Sequence, residues 1–275
     1  MLYIPASRLR ALEKAAGLAA DAIIFDLEDA VAPGEKLAAR ATLATCLTAT
    51  DYGRRLRLVR INGFDTEWGR ADAAAFAAHP GVDAILVPKV SAASDLTAVA
   101  QVAPDKPLWA MMETPLGVLN AAAIAGQDRL RGIVMGTNDL AKDLGARARP
   151  DRLALTTGLG LAVLAARAYG RLIVDGVFNA YRDVEGLAAE CEQGRDMGFD
   201  GKSLIHPDQL EAANRIFAPS PAELDLARRQ IEVFKAATAA GQGVAVLDGK
   251  IVENLHIVTA RALIAKARAI AVMQG

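Results

Sequence analysis

Five short apolar runs of this chain end on, or lead straight into, ionisable side chains. Run 22–28 closes with Asp26-Leu27-Glu28, and Asp29 follows. Run 56–62 carries Arg60 before Asn62, and run 84–90 carries Lys89. Run 107–113 ends on Glu113, and Asp139 follows run 130–136 in Gly136-Thr137-Asn138-Asp139. Chains meet water at strand ends, so one or two such charges need no explanation; five on one rim do. If the runs are neighbouring strands, Glu113 and Asp139 stand about 5 Å apart. Two carboxylates that close either repel, raising one pKa, or share a cation. No softer ligand set competes, because His79, His206 and His256 are widely spaced and Cys46 and Cys191 show no metal-ligand spacing. Oxygen ligands alone suit a hard ion, Mg2+ or Mn2+, with water and substrate completing an octahedron. Arg60 offers a planar donor fork for a carboxylate or enolate oxygen. The set fits a substrate that carries a carboxylate and develops negative charge on a carbonyl oxygen. Two acids and an arginine also occur in structural ion-pair networks, so spacing alone leaves both readings open.

The elements that must position these groups are eight β-branched, apolar runs: 2–5, 22–28, 56–62, 84–90, 107–113, 130–136, 172–177 and 201–206. Continuous apolar runs are how parallel strands buried on both faces read. Between them lie alanine-rich segments of helical period, among them 35–47, 95–102, 151–169 and 183–197. Eight strand–helix alternations close a (β/α)8 TIM barrel, whose usual length of about 250 residues suits this chain of 275. An open doubly wound sheet is the alternative, but no Gly-x-Gly-x-x-Gly follows any run. In a barrel the C-terminal strand ends form the active site, which is where the charges fall. The prolines of Ala218-Pro219-Ser220-Pro221 mark the one boundary. Residues 1–218 form the barrel, and 219–275 form a C-terminal helical extension of the same domain, either packed on it or acting as a lid. Within that extension a helix runs to about Ala240, followed by Gly241-Gln242-Gly243, a short apolar run 244–246 and the last helix.

Composition narrows the function. The net charge is −1 and no basic stretch stands out, which argues against nucleic acid or an anionic membrane surface. No apolar run approaches the roughly 18 residues of a transmembrane helix, and the apolar start is too short for a signal peptide. Both cysteines read as reduced packing residues of a cytoplasmic protein. Asp175 reads as a buried structural acid, Asp248 as a turn residue, Trp109 as core, and His206 as a cap or packing residue.

Taken in order, the motifs resemble citrate lyase beta subunit-like proteins, a group that includes the malyl-CoA lyases within the HpcH/HpaI aldolase superfamily. The resemblance rests on Pro5-Ala6-Ser7-Arg8, Asp26-Leu27-Glu28-Asp29-Ala30-Val31, Val59-Arg60-Ile61-Asn62, Val87-Pro88-Lys89, Met112-Glu113-Thr114, Gly136-Thr137-Asn138-Asp139-Leu140, Gly198-Phe199-Asp200-Gly201-Lys202 and Ile205-His206-Pro207. It implies a TIM barrel, Mg2+ held by Glu113 and Asp139, and Arg60 on the substrate carboxylate or thioester oxygen. It also implies an acyl-CoA substrate and a homotrimer or homohexamer in which one subunit's C-terminal lid covers its neighbour's site. Glu28, Asp29 and Lys89 join Arg60 and Glu113 as expected substrate contacts, and Arg8 is either a CoA-phosphate contact or an ordinary surface arginine.

One segment departs from the family pattern. Family lyases end on Gly-Lys-Met-Val-Asp-x-Pro, whose Asp handles the proton on an acetyl-CoA enolate. This chain reads Gly249-Lys250-Ile251-Val252-Glu253-Asn254-Leu255-His256. Glu253 keeps the acid but moves it by about a bond length, and misplacement near 1 Å costs about a hundredfold in rate. The tail resembles the malyl-CoA thioesterase branch. The expectation is therefore hydrolysis of malyl-CoA to malate and CoA, with Glu253 as general base on water. The alternatives are a malyl-CoA or citryl-CoA lyase, and a non-catalytic subunit of a lyase complex.

Overall fold

The computed structural model describes residues 1–274. They divide into two compact units, the first being Met1–Ala213. The division falls inside the helix Leu210–Phe217, just before the proline-marked boundary at 218/219.

The first unit contains eight strands in sequential order: β1 (Leu2–Pro5), β2 (Ala22–Asp26), β3 (Leu56–Arg60), β4 (Ala84–Val87), β5 (Leu108–Met112), β6 (Leu130–Met135), β7 (Leu172–Asp175) and β8 (Gly201–Lys202). Every neighbouring pair is parallel. A parallel bridge between Leu2 and Leu204 brings the last strand back to the first. Tyr3 N–H donates to Leu204 O and Leu204 N–H to Met1 O, both at 2.9 Å. This is the expected (β/α)8 barrel. From β2 onward the strands stop one to several residues short of the apolar runs, because the last residues of each run leave the ladder to build the rim loops. The anticipated helices are present as Lys36–Ala49, Ala93–Val102, Leu153–Ala168 and Val184–Met197.

Period-two alternation decides what each strand buries on which side. Ile24, Leu58, Leu86, Trp109, Met111, Val134 and Val174 fill the barrel interior. Ile23, Phe25, Val59, Ile85, Ala110, Ile133 and Ile173 take the opposite parity and are buried as well. Trp109 is core, as expected. It reaches across to β6 over Gly132, where any Cβ would overlap its six-membered ring. Carried one step further up the strands, interior parity gives Asp26, Arg60, Glu113 and Gly136. Asp175 has the other parity and is fully buried. Arg152 Nη1 reaches both its oxygens at 2.8 Å, and Lys202 Nζ lies 2.9 Å from Oδ2. It is a structural acid, joining β7 and β8 to the start of the helix Leu153–Ala168.

The second unit begins at Asn214. Its helix Pro221–Ala239 opens on a capping box, with Ser220 Oγ accepting from Glu223 N–H at 3.2 Å and Glu223 Oε2 from Ser220 N–H at 2.7 Å. An antiparallel hairpin follows, β9 (Ala245–Leu247) with β10 (Lys250–Val252), and then the helix Asn254–Gln274. Asp248 and Gly249 turn the hairpin at φ 50° and 74°, the two positive angles that a tight two-residue turn requires. Asp248 is thus the turn residue anticipated. The second hairpin strand escaped the sequence reading because three residues carry no period. Ala237, Ala245, Val252 and Ile257 form this unit's own small core. Among the described residues no helix is long and apolar enough to cross a membrane.

Candidate active site

At the C-terminal end of the barrel, Arg60 stands beside Asp26 on adjacent strands in register. Arg60 Nε and Nη2 meet Asp26 Oδ1 and Oδ2 at 2.7 and 2.6 Å, a bidentate pair. The same carboxylate accepts the N–H groups of Glu28 at 2.9 Å and Ala30 at 3.1 Å, so Asp26 also shapes the loop that carries Glu28 and Asp29. Lys36 Nζ holds that loop from below, donating to Leu27 O at 2.9 Å and Glu28 O at 2.8 Å. Two of the three Arg60 nitrogens are therefore committed. The third, Nη1, faces Glu28 Oε2 at 2.8 Å and Asp29 Oδ2 at 3.3 Å. Glu28 Oε2 is buried and, despite this ion pair, accepts no hydrogen bond. Glu28 Oε1 pairs with Lys89 Nζ at 2.9 Å.

Glu113 follows β5 and is almost wholly buried. Its Oε1 accepts Lys89 N–H at 2.8 Å. Lys89 has φ 52°, a left-handed conformation costing a non-glycine residue roughly 1–2 kcal/mol; the bond to Glu113 helps hold it there. Gly136 is obligatory on the other side, because a Cβ there would overlap the Glu113 side chain. Asp139 lies three residues on, in the first turn of the helix Thr137–Asp143, partly exposed. Burial first, then the charge of Glu28 and, more weakly, that of Asp139 push the Glu113 carboxyl up to about 7.

These groups line a cleft of about 340 Å³ with Asp26, Asp29, Arg60, Glu113 and Asp139 on its wall. Asn138 and Asn179 clasp one another across its mouth, at 2.8 and 3.2 Å. Five carboxylates (Asp26, Glu28, Asp29, Glu113, Asp139) face three cations (Arg60, Lys36, Lys89), a net negative site. Glu113 and Asp139 carry no ion pair to a cation among the described residues. That donor set fits a hard divalent ion. Among the described residues no three acidic, histidine or cysteine side chains form a cage; an ion on these two carboxylates would keep positions for water and substrate, as Mg2+ prefers.

The structure thus brings together Arg60, Glu113, Asp139, Glu28, Asp29 and Lys89. Arg8 sits exposed at the start of the helix Leu9–Ala15 and does not line the cleft. Glu253 belongs to the second unit, exposed just after β10, its N–H bonded to His256 Nδ1 at 3.0 Å. His206 caps a turn, its Nδ1 accepting from Asp208 N–H at 3.2 Å. Three features escaped the sequence reading. The Asp26–Arg60 pair needs the strand register, and the Asn138–Asn179 clasp joins distant loops. Tyr3, facing the cleft from β1, looked like one apolar residue among several. Burial, only partly offset by Arg60, pushes its phenol well above the ordinary range.

Residues 1–207 match the family described as HpcH/HpaI aldolase/citrate lyase. The (3S)-malyl-CoA thioesterase of Cereibacter sphaeroides (strain ATCC 17029 / ATH 2.4.9) is 69% identical over 275 residues, covering 100% of this chain and 96% of that protein. Citrate lyase subunit beta of Leuconostoc mesenteroides subsp. cremoris is 34% identical, over 98% of this chain and 93% of its own. Among solved structures, CitE from Mycobacterium tuberculosis, in complex with magnesium, acetoacetate and coenzyme A, superposes with a TM-score of 0.82 at 33% identity, covering 97% of each chain. With its barrel, its rim acids and these full-length relatives, the chain is a member of the HpcH/HpaI aldolase/citrate lyase family.

Proposed function

We propose that this protein is a Mg2+-dependent thioesterase that hydrolyses (3S)-malyl-CoA to malate and CoA. The observation that carries the reading is the 69% full-length identity to a (3S)-malyl-CoA thioesterase, against 34% to a citrate lyase subunit beta. The cleft supplies the chemistry. Glu113 and Asp139 would hold Mg2+, which when bound would supply Lewis-acid polarisation of a substrate oxygen. Arg60 Nη1, its other two nitrogens fixed on Asp26, turns toward the oxyanion that develops at the thioester carbonyl, exchanging its contacts with Glu28 and Asp29. Glu28, Asp29 and Lys89 hold the substrate at the rim, and Arg8 meets a CoA phosphate. Glu253 takes a proton from water as the water oxygen bonds to the carbonyl carbon. The C–S bond then breaks, and the proton passes to the departing CoA sulfur.

In this reading Glu253 comes from a neighbouring subunit of a homotrimer or homohexamer. Val244, Val246, Ile251, Leu255 and Val258 flank it and are exposed in the single chain, an apolar surface of the kind a subunit contact covers. Both cysteines are buried and free, in keeping with a cytoplasmic enzyme. The test is release of CoA thiol from (3S)-malyl-CoA with Mg2+ present. Turnover that stops in chelator, returns with Mg2+ and is nearly abolished in Asp139→Asn is the expected result. Undiminished turnover in chelator, or a fully active Asp139→Asn, would remove the metal from the account.

A further inference from the structure

Tyr3 brings to the cleft a hydroxyl that, among the described residues, is bonded to sulfur alone. Tyr3 and Pro5 alternate on β1 so that both face the cleft. The Tyr3 ring is pinned there by the Arg60 guanidinium, whose carbon lies 5.1 Å from the ring centroid. Its hydroxyl lies 3.1 Å from Met111 Sδ. A thioether is among the weakest acceptors a protein offers. Buried phenols normally find an oxygen or nitrogen partner. The carboxylates of Asp26, Glu28 and Glu113 act on the phenol through their charge, yet the hydroxyl bonds to none of them; Asp26 is held by Arg60 and two backbone N–H groups, and Glu113 Oε1 by Lys89 N–H. Tyr3 is therefore placed at the cleft wall as a donor that a ligand oxygen can engage, with sulfur as its resting partner.

We infer that the Tyr3 hydroxyl is a substrate-binding group, donating a hydrogen bond to an oxygen of the acyl part of the ligand, a hydroxyl or carboxylate oxygen of a short hydroxydicarboxylate. The inference rests on the acyl group proposed above but concerns binding alone. When the ligand enters, the O–H rotates from Met111 Sδ to the ligand oxygen, exchanging a weak acceptor for a strong one. An acyl group without such an oxygen leaves the hydroxyl on sulfur and gains nothing, so Tyr3 helps the site favour oxygenated acyl groups over plain ones.

Tyr3→Phe isolates this hydroxyl, because the phenyl ring keeps its place beneath Arg60. Malate and succinate, which differ by one hydroxyl, are titrated calorimetrically with Mg2+ into the native protein and the variant, with thermal melts as the check on folding. Malate affinity should fall roughly 10- to 100-fold, the range for a lost hydrogen bond to a charged or strongly polar ligand atom. If succinate is unaffected, the contact is to the hydroxyl; if it weakens equally, the contact is to a carboxylate. Equal malate affinity in the two proteins, or no malate binding to the native protein, overturns the inference. Failure of the native protein to cleave malyl-CoA, with malate binding intact and weakened in Tyr3→Phe, would sink the proposed reaction and leave the role of Tyr3 standing.

Discussion

Glu113→Gln should stabilise the metal-free protein while removing its response to Mg2+. In the metal-free state the Glu113 carboxyl is raised from 4.5 to about 7, chiefly by burial. An acid whose folded pKa is raised is tolerated as the neutral form and penalised as the anion. Metal-free stability is therefore complete below the unfolded value, falls as pH rises from 4.5 to about 7, and is flat above it. By linkage the penalty is about 1 kcal/mol at pH 5 and about 3 kcal/mol at pH 8. Glutamine fills the same space and keeps the acceptor for Lys89 N–H without the charge. The variant should thus exceed the native protein by about 2 kcal/mol more at pH 8 than at pH 5. For a unit of this size that is a difference of about 4–8 °C in Tm. Melts in chelator at the two pH values read it. Added Mg2+ should raise the Tm of the native protein at pH 8 and leave Glu113→Gln unmoved. A variant no more stable than the native protein at pH 8, or an advantage equal at both pH values, would refute the claim that Glu113 is a buried charge awaiting a cation.

Other perturbations test other parts of the account. Arg60→Lys loses the bidentate grip on Asp26 and should lower kcat/KM for malyl-CoA by roughly 100-fold, measured by thiol release; activity within threefold would free Arg60 of its role. Gly132→Ala drives a methyl into the Trp109 ring and should cost about 1–3 kcal/mol in urea unfolding; an unchanged midpoint would contradict the tight barrel interior. Glu253→Asp should increase the share of malyl-CoA cleaved to acetyl-CoA, read by chromatography; an unchanged product ratio would show that the acid's reach does not select the reaction.

Much of the fold was legible because parallel strands buried on both faces leave unbroken apolar runs, and eight of them allow few closures. The rim charges were legible for the same reason: Glu113 and Asp139 interrupt apolar sequence where nothing but an open strand end accommodates them. Strand ends were read too long because residues such as Leu27, Val90 and Val177 stay apolar after the ladder stops. The Asp26–Arg60 pair was hidden because it depends on register between strands thirty-odd residues apart in sequence. Lys89 gives no local sign of its positive φ, which the hydrogen bond from its N–H to Glu113 helps hold. Tyr3 is an ordinary strand residue by type, and only inward parity at the first strand turns it toward the cleft. In the tail, the hairpin strands are too short to show alternation, and the run 244–246 and Asp248-Gly249 are their visible marks.

The central claim is that water, and not a carbon–carbon bond, is what this site activates. The most direct measurement is the product distribution from (3S)-malyl-CoA incubated with the native protein and Mg2+ and separated by chromatography. Malate and free CoA in equal amounts, with little acetyl-CoA, is the predicted result; acetyl-CoA and glyoxylate as the main products would contradict it.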